Sequence, residues 1–295
     1  MTPAPAPTET ARTAGTALRL LVAAAAAVAL WPFVRILWDT WQGDGPATAG
    51  NVLALGCAVL TAWLRLDRLA ACRPGRAWPG MLVLAIACVC YALSLRLDFM
   101  TGIEAGVLFG TMAALHLAHG WRGLVAMRLP LVMLALSMPP PGFVVETLTS
   151  AVLDRTVTVV VALLQLWWPM VTSNGYIITM PESHVTIVRD CSGMSSLFLI
   201  APLSLLLLEP YRPYGTVRHA MLGAFALALA LATNTVRVLV SAVLENAGVE
   251  GALDGPLHDA LGIAGLALAA AWLLWVARFA ARSHARARSA QGGSR

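Results

Sequence analysis

Lysine is absent: all 20 basic side chains of the 295-residue chain are arginine. Charge of any sign is scarce, at 12% of residues against 59% hydrophobic. An average soluble domain carries about 25% charged and about 45–50% apolar residues. So little polar surface cannot clothe a globule in water. A soluble enzyme, a disordered protein and a disulfide-rich secreted domain are thereby excluded. Metal-ligand spacing is missing as well. The histidines (His116, His119, His184, His219, His258 and His284) form no HExxH pattern and the five cysteines no paired motif, so neither metal nor cofactor is expected. What remains, with mean hydropathy +0.75, is an integral membrane protein.

A net charge of +5 invites thoughts of nucleic acid. The arginines, however, stand between apolar runs and at both chain ends, where they act as topology signals, so no nucleic-acid partner is expected. A crossing helix needs about 20 apolar residues. Runs that qualify, some only just, fall at 17–38, 50–66, 79–95, 102–119, 123–138, 193–208, 217–240 and 259–279, which predicts an all-α fold of about eight transmembrane helices. Residues 1–16, rich in Pro, Thr and Ala, read as a disordered tail, with no cleavage site after the first apolar run. Residues 17–281 read as one polytopic membrane domain, and 282–295 as a basic cytoplasmic tail.

Eight spans place Arg12 and Arg19, the loop with Arg65, Arg68, Arg73 and Arg76, then Arg122, Arg212, Arg218 and the tail arginines Arg282, Arg286, Arg288 and Arg295 on one side, the cytoplasmic one. Residues 144–169 are long and apolar enough for a ninth crossing, which would break that pattern. Thr147, Ser150, Asp154 and Thr158 recur on one helical face behind the break at Pro139-Pro140-Pro141-Gly142. This predicts an amphipathic helix at the outer interface or a re-entrant segment, with a true span as the alternative. Residues 171–190 contain a turn signal, Asn174-Gly175, and two β-branched runs, Tyr176–Thr179 and His184–Val188. They predict a short extracytoplasmic β-hairpin. Such backbone cannot face lipid.

The hairpin leads into Cys191-Ser192-Gly193 and the next span, so Cys191 stands at an outer helix N-terminus. Free N–H groups and the helix dipole favour a thiolate there. Cys57, Cys88 and Cys90 fall within spans and Cys72 in a cytoplasmic loop, which leaves Cys191 without an obvious disulfide partner. A small core cysteine is the bland reading. Asn234 and Arg237 share a face near the outer end of the following span. An intramembrane arginine is costly and marks function, unless it snorkels to headgroups. Pro256 starts the last span and puts His258 in its first turn, where the dipole favours the neutral base. Asp254, four residues earlier, either orients that ring or is a plain cap. Gly262, one turn below His258, permits close packing. Three helices thus bring Cys191, Arg237 and His258 to one membrane face: a thiol, a fixed cation for an oxyanion and a base that activates the thiol. The set reads as acyl transfer through a thioester.

Cys191-Ser192-Gly193, Asn234-x-x-Arg237 and His258-Asp259 followed by Gly262, in that order and setting, resemble the exosortase/archaeosortase family. The resemblance covers residues 175–265 or so. It implies a multi-pass cysteine transpeptidase acting on membrane-anchored proteins with a C-terminal sorting signal: a short motif often like Pro-Glu-Pro, a transmembrane helix and a basic cluster. It makes Cys191 the nucleophile, Arg237 the oxyanion-stabilising group and His258 the acid/base, with Asn234, Ser192, Gly193 and Asp254 supporting. It places the chain in the bacterial cytoplasmic membrane with an outward-facing site. The chain departs from the common pattern at Arg189-Asp190, where a small residue precedes the Cys, and at Met194, where Leu is frequent. The alternative functions are a transporter with Arg237 and Asn234 lining a path, or an assembly factor of an export machine.

Overall fold

The computed structural model describes residues 30–43, 48–187, 192–209, 216–249, 252 and 256–292. Helix α1 covers residues 30–41. It is followed by α2 (Thr48–Trp63), α3 (Leu66–Ala70), α4 (Ala77–Leu97), α5 (Met100–Ala126), α6 (Arg128–Leu136) and α7 (Gly142–Leu164). Strands β1 (Thr172–Asn174), β2 (Ile177–Thr179) and β3 (His184–Thr186) come next, then α8 (Met194–Leu208), α9 (Thr216–Asn246) and α10 (Pro256–Gly292).

Among the described residues, five helices are long and apolar enough to cross a membrane: α4, α5, α7 and the segments Ala220–Asn246 of α9 and Leu257–Phe279 of α10. Thr48–Trp63 and Met194–Leu208 are shorter apolar helices. The protein is a multi-pass, mostly helical membrane protein, and large apolar side chains such as Trp63, Trp78 and Val89 cover its outside. The count of eight spans is not confirmed. Residues 17–29 of the first run lie outside the described residues. The fourth run continues past its expected end, kinks at Gly120 (φ 65°) and stops at Ala126, so the fifth is left with the nine-residue α6. Gly120 packs against the loop before α4, where an added Cβ would lie 3.0 Å from Arg73 O.

Local sequence explains the main turns. Asp98 adopts the left-handed conformation (φ 53°) and its N–H bonds Ser94 O, ending α4 and folding α5 back on it. The three prolines before Gly142 separate α6 from α7. On α7 the amphipathic pattern is evident: Thr147, Asp154 and Thr158 are exposed, while Leu153, Val157, Val160 and Leu164 are buried. By length and composition this helix nevertheless stands among the five that can cross.

The expected hairpin is a three-stranded antiparallel meander, β1-β2-β3. Ile177↔Thr186 and Ile178↔Val185 pair as the β-branched runs predict, and β1 joins across the Asn174-Gly175 turn, with Thr172↔Thr179. Val171, Ile178, Met180, Val185 and Ile187 turn to one side and form a core with α7 and with Val238 and Ala242 of α9.

A second core binds α8, α9 and α10: Leu222, Ala226 and Ala230 on α9 and Ala269, Leu273 and Ala277 on α10, each set at four-residue spacing. Small residues at this spacing let membrane helices approach closely. At the C-terminal end of α8, buried Arg65 is ion-paired with Glu209 and donates from Nη1 to Ala126 O at 2.9 Å. That contact ties the ends of α2, α5 and α8 together. The opposite end of α8 carries the candidate site.

Candidate active site

Helix α8 begins abruptly. Ser192 is 1% exposed, and its Oγ accepts from the N–H of Met194 at 3.3 Å. Gly193, at the N-cap, has φ 84°, a conformation open to glycine and strained for other residues. Packing asks for glycine there too. A Cβ at Gly193 would sit 2.6 Å from Cγ and Nδ2 of Asn234. The amide of Asn234, 4% exposed, is thus pressed onto the backbone at the head of α8.

One turn further along α9, Arg237 is half-buried and reaches the neighbouring helix. A Cβ on Gly262 of α10 would lie 2.9 Å from Arg237 Nη1. The guanidinium therefore occupies the space that a side chain at Gly262 would fill. Pro256 is the first residue of α10, so His258 falls in its first turn, one turn before Gly262, as the sequence predicts. His258 is half-buried with Nδ1 shielded from solvent. Gly193, Asn234, Arg237, Gly262 and His258 are thus assembled from three helices at one end of the bundle. Cys191 and Asp254 lie outside the described residues. The residues flanking residues 188–191 both rest on α9: Ile187 shares a core with Val238 and Ala242, and Gly193 abuts Asn234.

The other chemistry-bearing residues are elsewhere. Cys57 is buried in α2, Cys88 and Cys90 are in α4, Cys72 follows α3, and these four are free thiols. His116 and His119 sit on α5 before its kink, with His116 against Gly75 and Gly80. His184 is exposed on β3. Sequence reasoning missed Ser241. It lies one turn beyond Arg237 and two turns beyond Asn234, is 1% exposed, and its Oγ has no hydrogen-bond partner. Its spacing from Asn234 was the available signal, since positions seven apart share a helix face.

Residues 38–275 match the family model described as Transmembrane exosortase (Exosortase_EpsH), well over half of the chain. The chain belongs to the transmembrane exosortase family. The exosortase match runs from α1 into α10 and so takes in all three helices of the site. The family is one of cysteine transpeptidases that act on exported proteins. No curated protein and no solved structure matches the chain.

Proposed function

We propose that this exosortase is a cysteine protease/transpeptidase that cleaves the C-terminal sorting signal of membrane-anchored exported proteins. Cys191 attacks the scissile carbonyl as a thiolate. The developing oxyanion is held by Arg237, whose planar fork of donors keeps its charge at any physiological pH. His258 protonates the leaving amine as the C–N bond breaks, and a thioester remains on Cys191. An acceptor amine, or water, then attacks the thioester carbonyl and gives up a proton to His258, and the thiolate leaves. Asn234 fixes the head of α8, while Ser192, Gly193 and Asp254 shape the two helix starts. No cofactor enters the scheme. The protein acts in the bacterial cytoplasmic membrane with the site on the extracytoplasmic side.

The convergence on α9 carries this reading: Asn234 against Gly193, two residues past Cys191, and Arg237 against Gly262, one turn from His258. The test is processing, in cells, of a fusion ending in a Pro-Glu-Pro motif, a transmembrane helix and an arginine cluster. Cys191→Ala is expected to abolish cleavage. Cys191→Ser should be nearly as inactive, because a hydroxyl is far less ionised than a thiol near neutral pH. Normal processing by Cys191→Ala at wild-type protein levels would overturn the enzyme reading in favour of a transporter or assembly factor.

A further inference from the structure

We infer that the free edge of β3 is the docking strand for the polypeptide substrate, which adds to the sheet as a fourth strand; this rests on the transpeptidase reading above. Hydrogen bonds identify which groups that edge offers. Met180 N–H donates to Ser183 O at 2.9 Å, and Ile187 N–H donates to Tyr176 O at 2.8 Å. Bonded and non-bonded pairs alternate along an antiparallel ladder. Ile178↔Val185, midway between those two pairs, is therefore bonded, whereas Thr179↔His184 and Ile177↔Thr186 are not. His184 and Thr186 accordingly direct their N–H and C=O groups away from β2. Both residues are exposed, and among the described residues β3 is the last strand of the sheet. Spare donors and acceptors at alternate residues are what an extended backbone can satisfy.

The position of the edge selects the occupant. α7 packs on β1, α9 packs on β3, and α8 and α10 pack on α9, so the free edge of β3 lies on the side of the sheet nearer the site. Val185 and Ile187 hold the strand down on Val238 and Ala242, and Ile187 is four residues ahead of Cys191. β3 is followed within eight residues by the short apolar helix α8. A sorting signal has the same plan, an extended motif followed by a membrane helix. Laid beside β3 and α8, it runs parallel to them, about 4.8 Å away, and its main chain is delivered along the path that leads to Cys191. Recognition is then largely of backbone, with side-chain selection left to the positions flanking His184 and Thr186.

The full-length protein in nanodiscs, given the purified Pro-Glu-Pro fusion described above, tests this. Thr186→Pro removes an outward N–H without touching the β2–β3 ladder. It should raise KM about tenfold with kcat within about twofold of wild type. Ser173→Pro, at the outward-facing position on the opposite edge, should leave both unchanged. Semisynthetic fusions with single ester-for-amide replacements, assayed on the unaltered protein, should show KM rising at every second motif position. This arm stands even if Thr186→Pro fails to fold. Unchanged KM for Thr186→Pro, together with no ester effect, overturns docking at β3 while wild-type cleavage leaves the enzyme reading intact. Conversion of a dimer to a monomer at unchanged KM gives the edge to a second copy of the chain and also overturns it. Failure of the wild type to cleave the fusion overturns the transpeptidase reading, and the docking strand with it.

Discussion

Two arginines at opposite ends of α8, Arg65 buried and Arg237 half-buried, have different surroundings. Arg65 meets a carboxylate and a backbone carbonyl contributed by two other helices, and its charge is answered where it stands. Arg237 crosses to α10 at a glycine, and the residue beside it on α9, Asn234, meets another glycine at the head of α8. One end is closed by side chain meeting side chain; at the other, side chains meet bare backbone. The comparison teaches that an arginine in a membrane protein is read by what has been removed around it. Where neighbours were chosen to pair with it, the arginine binds helices together. Where a neighbour is glycine, the arginine is placed by how closely the next helix approaches.

That contrast can be broken at four points. Arg237→Lys keeps the charge but loses the forked geometry, and cleavage should fall by about 10²–10³ with the thermal midpoint little changed. A stability loss without a rate loss would make Arg237 a second Arg65. Arg65→Met should do the reverse. Breaking a buried pair costs about 3–5 kcal/mol, and less here because Glu209 is 23% exposed, so a loss of about 2–3 kcal/mol is expected. Cleavage per folded molecule, measured in the same preparations, should stay at wild type.

Gly262→Ala sharpens the comparison. The added methyl would lie 2.9 Å from Arg237 Nη1, the mobile end of a long side chain, so the fold adjusts while the guanidinium moves. Cleavage is expected to drop about tenfold, the order set by displacing an oriented group by a fraction of an ångström to an ångström. An unchanged rate would show that the placement of Arg237 does not matter. Ser241→Ala should give the smallest effect, a stabilisation of up to about 1 kcal/mol on chemical denaturation, because it removes a buried hydroxyl without a partner. Destabilisation would instead mean that this hydroxyl is satisfied when the protein is in its membrane.

Much of this is legible in the amino-acid sequence. The helix starting at Pro256 with His258 in its first turn followed from proline chemistry, and the β2–β3 pairing followed from β-branched runs between turn formers. Strand β1 was not legible, because Thr-Ser-Asn has little intrinsic strand preference and is recruited by its partner. Hydropathy could not see that a helix would bend at Gly120 and run on to Ala126, since a kink against Arg73 and Gly75 is a tertiary event. That Asn234, Arg237 and His258 gather at one end of the bundle was readable by order and topology. The two glycine contacts that place Asn234 and Arg237, like the Arg65–Glu209 pair, join residues far apart in the chain and emerged only from packing.

One continuous helix connects the candidate base to the arginine-rich end of the chain. α10 has 37 residues, about 55 Å of rod, of which the apolar stretch Leu257–Phe279 accounts for about 35 Å. The remainder extends past the apolar layer as a lever arm. Leverage is unforgiving over such lengths: a rocking of about 5° about the middle of the apolar stretch shifts His258 by about 1.5 Å, more than the tolerance of an oriented catalytic group. A tilt imposed at the arginine end would therefore be felt at the helix turn that carries His258.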